Sequence, residues 1–452
     1  MGALALNTDE SMARLAALAE DAIKRCKALG ADQAEVGVHE DAGLAVNVRM
    51  GEVETVEHTR DRGLSLTVYF GGRKGSASTA DLDPTTIETS VQQACAIARF
   101  TESDPCAGLA DPERMATSFP DLDLWHPWAL SADAAIELAL SCETAGRALD
   151  PRITNADGAS VNTGTSLAIY ANSHGFVGAE RSTSHSLSCA LIAGEGEGMQ
   201  RDYWYTSGCA AEDMEAAASV GRRAAERALR RLDPREVQTG DYPVLFAPEV
   251  ARSLIGHLLS AVSGGALYRR ASFLLDHMGK PVLPSWLSLR ERPHLRRGLR
   301  SANFDAEGVA TVDSDLVSNG VLQRYILGSY SARKLGLSST GNASGVLNLL
   351  VEGRGESFET LLGGIQRGLL VTELMGQGVS TITGDYSRGA AGFWVENGEI
   401  AYPVDEFTIA GNLRQIYDRI EAVGGDVDLR SHVRTGSILV GRMTVAGGSE
   451  EA

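Results

Sequence analysis

His257, in the stretch PEVARSLIGHLLSAV, brings this sequence closest to metal chemistry. A hydrolytic zinc site carried on one helix needs two histidines facing the ion and a glutamate to polarise its bound water. Here the histidine stands alone, followed by Leu258, with Val262 a further turn on. Read from the residues, it is a hydrogen-bonded histidine at a helix surface rather than one of a ligand set. His174, His185, His277 and His432 are scattered without ligand spacing, and the six cysteines all precede residue 210 without a C-x-x-C pair, so they read as reduced, mostly buried thiols. Ser331 to Lys334 matches S-x-x-K but lacks the companion motifs of that enzyme class. Glycine spacing at Gly194 to Met199 imitates a phosphate loop, yet Glu195 and Glu197 would repel phosphate. The densest polar set lies in Thr383 to Asn412, where Asp385, Tyr386, Ser387, Arg388, Trp394 and Glu396 sit among glycines that let backbones approach closely. It reads either as a cleft or interface, or as a glycine-rich hairpin whose polar residues cap its turns.

Elements that could carry these residues follow from periodicity. Apolar residues at helical spacing predict a helix from Ser11 to Leu29, then alternation predicts strands at Ala34–Val38, Leu44–Met50 and Leu64–Phe70, with Gly43, Gly51, Gly63 and Gly71 as punctuation. Asp83-Pro84 opens a second helix. After a proline-containing linker, a helix is expected at Ala132 to Leu149, strands at Ile153–Val161, Ser166–Ala171 and Ser184–Ile192, and a long helix from Ala211 to Leu232. This second unit repeats the element order of the first without residue identity. Beyond Thr239-Gly240 the texture turns to glycine-rich strands with one helix around His257, and Asn397-Gly398 is a two-residue hairpin signal. The expected fold is α+β, in three segments: 1–105, 106–235 and a mostly β segment 236–452.

A chain of 452 residues can build more than one core. With 41 basic and 59 acidic residues the net charge is −18, which disfavours phosphate backbones as partners. The one basic cluster, Arg222, Arg223, Arg227, Arg230 and Arg231, shares its helix with Glu226 and reads as a solvated face. No run reaches the ~18 apolar residues of a membrane span, and MGALALNTDESMARL lacks a leader's basic and apolar regions, so a cytoplasmic protein is expected.

Long strings then carry a likeness. RGLSLTVYFGGRKGSAST, NSHGF, STSHSLS, TGDYPVLFAPEVA, GALYRRASFLLD, SYSARKLGL, VTELMGQGVSTITGDYSRGAAGFWVENGEIAYPV and EFTIAGNL together resemble the PmbA/TldD family, in its PmbA (TldE) branch. The resemblance implies an α+β protein of a cytosolic family linked to DNA gyrase modulation and to the peptidase maturation of precursor peptides. It also implies that the TldD branch carries H-E-x-x-x-H, and that His257, Leu258 and Val262 are the corresponding, degenerate positions here. On that basis the chain itself is expected to hold no metal and no catalytic residue. Zinc is expected on a TldD-like partner, in a heterodimer that cleaves unfolded peptides, with a homodimer as the other assembly. The alternative is a binding modulator of gyrase, or of another large target, that cleaves nothing.

Overall fold

The computed structural model describes residues 8–447. The outermost residues of the expected segments 1–105 and 236–452, and the leader reading where it rests on residues 1–7, lie outside the described residues. The fold is α+β. Helix α1 (Thr8–Ala28) leads into β1 (Gln33–Arg49), β2 (Glu52–Phe70) and β3 (Arg73–Thr79), and α2 (Pro84–Phe100) follows. The order then recurs: α3 (Ala132–Arg147), β4 (Ile153–Asn172), β5 (Val177–Ala193), β6 (Gln200–Gly208) and α4 (Ala217–Arg230). These two units share one antiparallel sheet, ordered β3-β2-β1-β4-β5-β6, joined where β1 pairs with β4.

Sharing arises because the strands are longer than the spacing of glycines suggests. Gly43 and Gly63 are not turns but mid-strand positions, so two of the expected strands are the halves of β1. At Gly63 a side chain would come within 2.7 Å of the His39 ring, so glycine marks a close cross-strand approach rather than a reversal. Likewise, the expected strands at Ile153–Val161 and Ser166–Ala171 are one strand, β4. Each end of the sheet has its own core. Leu15, Ala19 and Ile23 of α1 with Val91 and Ala94 of α2 cover Val36, Val38, Leu66 and Ile169, while α3 and α4 cover Val46, Val48, Val161 and Leu191.

Two local details depart from periodicity. The expected helix from Ala211 starts only at Ala217, because Glu215 is tied to β6, accepting from Trp204 Nε1 at 3.0 Å while its own N–H donates to Thr206. The linker after α2 is a strap and not a tether: Arg333 donates to the carbonyl of Gly108 at 3.2 Å, and Met115 forms a bridge with Val309.

The C-terminal domain follows with β7 (Gly240–Phe246), α5 (Pro248–Ala261), α6 (Gly264–Tyr268), β8 (Ser288–Glu291), β9 (Ser314–Ser318), β10 (Val321–Leu322), α7 (Ser329–Leu335) and β11 (Leu349–Glu352). It continues through α8 (Phe358–Gly363), β12 (Arg367–Met375), β13 (Asp385–Glu396), β14 (Glu399–Asn412), α9 (Leu413–Asp418), β15 (Ile420–Val423), β16 (Val433–Arg434) and β17 (Ile438–Ala446). One small sheet runs β10-β9-β8-β11-β16; a larger one runs β14-β13-β12-β7-β17-β15 and curls until β14 also pairs with β17. The turn at Asn397-Gly398 is as expected, both residues having positive φ, 51° and 80°. Helix α5 starts with Pro248 at a position where its missing N–H costs nothing, and packs Ala251, Leu254, Ile255 and Leu258 against Val244, Phe246, Leu369 and Val371 of the larger sheet.

Candidate functional site

Helix α5 and strand β13 bring His257 and Tyr386 together. Leu254, Leu258 and Val262, spaced four apart, share the face of α5 turned into the core, and Leu258 and Val262 are fully buried. His257, one residue before Leu258, is rotated about 100° away from that face. Its ring lies 5.9 Å from that of Tyr386, edge to face at 75°. Neither His257 Nε2 nor the Tyr386 hydroxyl has a hydrogen-bond partner among the described residues, although both atoms are buried. Burial holds His257 below the usual imidazole range, helped by the Arg388 charge, and pushes the Tyr386 phenol upward. Both are neutral at pH 7. Behind them Tyr417 donates to the carbonyl of Leu254 at 2.9 Å, fixing the floor of the corner.

Zinc held by protein ligands needs about three donors within reach. This corner offers one imidazole nitrogen and one neutral phenol beside aliphatic Leu258 and Val262, which does not fit a hydrolytic zinc. Among the described residues, one group of three histidine or carboxylate side chains comes close enough to share an ion: His39 and Asp41 of β1 with Asp61 of β2, ligand atoms within 4.8 Å of one another. It lies on the N-terminal sheet, away from the His257 corner, and its only sequence signal is a histidine and an aspartate two apart on one strand.

The six polar candidates of β13 do not form one site. Tyr386 and Trp394 are eight residues apart, roughly 26 Å along an extended strand. Asp385 is exposed; it accepts from the Thr383 hydroxyl at 2.6 Å and from Asn412 at 3.3 Å, and these bonds hold its carboxyl below the usual range. Ser387 is exposed, its N–H bonded to the Gly378 carbonyl at 2.7 Å. Arg388 donates from Nε to the Met375 carbonyl at 3.0 Å, the one hydrogen bond of its side chain among the described residues. At the far end Trp394 is buried between Tyr242 and Tyr402, donating to Glu396 at 3.0 Å. Tyr386 and Arg388 therefore accompany His257, whereas Trp394 and Glu396 belong to an aromatic packing cluster.

A second feature escaped the sequence reading. A cleft of about 690 Å³ opens between α4 and the C-terminal domain, lined by Trp204, Arg227, Arg230, Glu249, Phe393 and Arg430. Of the basic cluster, Arg222, Arg223 and Arg230 are exposed as expected, but Arg227 and Arg231 are not part of a solvated face. Arg227 binds Asp202 at 3.0 Å and Glu249 at 2.6 Å, and Arg231 reaches Glu373 and Asp405, with side-chain exposures of only 20% and 12%. They form a seam of ion pairs because two bodies close over them, and their i, i+4 spacing was the available signal. Arg430 lies 3.6 Å over the Trp204 ring. Glu249 stands at the first turn of α5, eight residues before His257, so cleft and corner occupy opposite ends of one helix, about 12 Å apart along its axis.

Comparison with known proteins matches most of the described length. Residues 34–98, 125–232 and 239–447 fit the profiles of the PmbA/TldA metallopeptidase domain 1, central domain and C-terminal domain. The chain is similar to metalloprotease PmbA of Escherichia coli O157:H7, 52% identical over 416 residues and 92% of each chain. A solved structure from Bacteroides thetaiotaomicron, described as a candidate modulator of DNA gyrase, superposes with a TM-score of 0.91 at 32% identity, over 96% of this chain and 98% of that one. TldE from Thermococcus kodakarensis shares the fold, with a TM-score of 0.83 at 20% identity over 95% and 100%. No helix among the described residues is long and apolar enough to cross a membrane.

Proposed function

Since this chain belongs to the PmbA/TldD metallopeptidase family, we propose that it acts as the TldE-like, metal-free subunit of a TldD-type cytoplasmic peptidase that cleaves unfolded peptides. One observation carries the reading: at the helix where the family resemblance expects a zinc motif, Leu258 and Val262 are aliphatic and fully buried, and His257 has no second donor except a neutral phenol. Zinc bound by a TldD-like partner would supply a polarised water. This chain's share is positioning. Arg388, held through its Nε bond to Met375, offers a fork for a peptide carboxylate. The cleft between α4 and α5 presents guanidinium, carboxylate and aromatic groups side by side, which suits an extended, unfolded chain of mixed sequence better than a single small ligand.

Reconstitution tests it. The purified chain is expected to hold no stoichiometric zinc by elemental analysis and to leave an unfolded peptide intact. Mixed with a TldD-like subunit it should cleave that peptide, as read by mass spectrometry. Cleavage by this chain alone would sink the subunit reading; binding of gyrase with no cleavage in either mixture would favour the modulator reading.

A further inference from the structure

Taking a guanidinium out of water is costly unless a carboxylate or a set of acceptors goes with it. Among the described residues three half-buried arginines form no ion pair: Arg388 beside His257, Arg252 on α5 and Arg434 on β16. Arg434 is the barest. Its side chain forms no hydrogen bond among the described residues, and its Nε is sealed from solvent without a partner. Burial pulls this guanidinium below its usual value, and no carboxylate raises it again. Arg252 reaches one neutral acceptor, the Tyr205 hydroxyl at 3.4 Å.

Arg252 and Arg434 belong to one place, because α5 packs against β16. From Arg430 to Arg434 burial alternates, with Ser431 and Val433 turned inward, so Arg430, His432 and Arg434 share the outer face. The half-buried His432 ring forms no hydrogen bond among the described residues. Burial lowers its affinity for a proton, and the Arg300 and Arg252 charges lower it further, so at pH 7 it is neutral and offers one N–H. The nearby carboxylates are already engaged: Asp428 accepts from Arg430 at 2.8 Å, and Glu249 from Arg227 at 2.6 Å. In a chain of net charge −18, basic groups meet here without an acid to pair them. The place adjoins the 690 Å³ cleft, and Tyr205 is the link. Arg430, which lines the cleft, donates to the Tyr205 carbonyl at 3.3 Å and lies 4.7 Å over its ring, while Arg252 holds its hydroxyl.

We infer that Arg252, His432 and Arg434 form an oxyanion subsite beside the cleft, which takes the carboxylate of a Glu or Asp side chain from a peptide lying extended there. Two guanidinium groups supply charge and paired N–H donors for a carboxylate, and the imidazole supplies one more. A carboxylate carried on a peptide also gains from the aromatic and polar walls next door, which a free phosphate leaves unused. The choice of occupant rests on the peptide-cleaving reading above, whereas the unpartnered arginines do not.

Fluorescence anisotropy on the full-length chain tests it, with two labelled unfolded peptides that differ only in carrying Glu or Gln at the same positions. Wild type should bind the Glu peptide about tenfold more tightly than the Gln peptide. Arg434→Met and Arg252→Met should each bring the two affinities within about threefold by weakening the Glu peptide alone. Unchanged affinity for the Gln peptide shows that the variant is folded, and Arg252→Met decides the matter if Arg434→Met does not fold. Inorganic phosphate in excess should displace the Glu peptide down to the level of the Gln peptide. Equal binding of both peptides by wild type, or a Glu preference that survives in the variants, would overturn the subsite and leave the peptidase reading standing. Failure of either peptide to bind would overturn both. Phosphate that protects wild type but not the variants from heat, while the two peptides bind alike, would give the site to a free oxyanion and overturn the peptide occupant.

Discussion

The N-terminal sheet and the C-terminal domain solve the same problem in different ways. The sheet covers two apolar halves with helices and leaves its middle and the β2 edge to polar residues, so charge there stays in water, while its buried carboxylates Glu143 and Asp202 are bonded to the β1–β2 turn and to Arg227. The C-terminal domain buries charge and satisfies it. Glu291, 3% exposed, accepts from Asn342 Nδ2 at 2.9 Å and from the Leu347 N–H at 2.6 Å, and pairs with Arg324. Asp305, also 3% exposed, accepts from the backbone of Glu307, Val309 and Ala343. His257 and Tyr386 belong to a small set of buried polar atoms there without a partner among the described residues, with those of Asn303, Ser329 and Arg434, and they are the two whose rings meet. The contrast teaches where to look: in the sheet function should lie on exposed edges, and in the C-terminal domain at the polar atoms left unmatched.

A single charge placed in each region should separate them most. Leu258→Glu forces an unpaired carboxylate into the packed face of α5 and should cost about 5 kcal/mol, whereas Val56→Glu on the exposed edge should change stability by under about 0.5 kcal/mol in the monomer. Denaturant midpoints of the two variants check this, and similar losses would erase the distinction. The same cost explains why Leu258→Glu with Val262→His should not restore a metal site: a third ligand and the groups that orient it are missing as well.

Next in size is a pH effect from the C-terminal domain. Burial pushes the Asp305 carboxyl up to about 6, against the opposing pull of its three backbone donors. In the unfolded chain it titrates near the ordinary aspartate value of about 3.9. Between those values the folded state holds the extra proton, so stability falls as pH rises from about 4 to 6 and then levels off. At about 1.4 kcal/mol per unit the loss approaches 3 kcal/mol. Unfolding free energies measured from pH 4 to 7 should show this slope, and Asp305→Asn should flatten it. An unchanged slope in the variant would place the titration elsewhere.

Smallest in stability, though not in consequence, is Arg388→Ala. Removing one exposed bond to Met375 should cost under about 1 kcal/mol, while peptide processing by the assembled complex should fall clearly. If processing matches wild type at equal stability, β13 is a packing hairpin with capped turns and nothing more.

Sequence alone determined a good deal here. Period-3.6 apolar stripes located α1 to α3 within a few residues, the helix-strands-helix order appeared twice, Asn397-Gly398 marked the β13–β14 turn, and the strings around Thr383 to Asn412 carried the family. Those features are local, set by side-chain spacing and turn chemistry within one segment. Tertiary structure decided the rest. Gly43 and Gly63 read as turns until the neighbouring strands show that they permit close approach. Arg222, Arg223 and Arg230 are exposed as a solvated face should be, but Arg227 and Arg231 read as part of it until Asp202, Glu249, Glu373 and Asp405 arrive from distant strands and helices to cover them. The polar residues of β13 read as one site until strand geometry holds Tyr386 and Trp394 apart. That His257 meets Tyr386, 129 positions later, follows only from the packing of α5 against a curled sheet, because burial, pairing and separation are properties of several segments at once and no single segment's pattern encodes them.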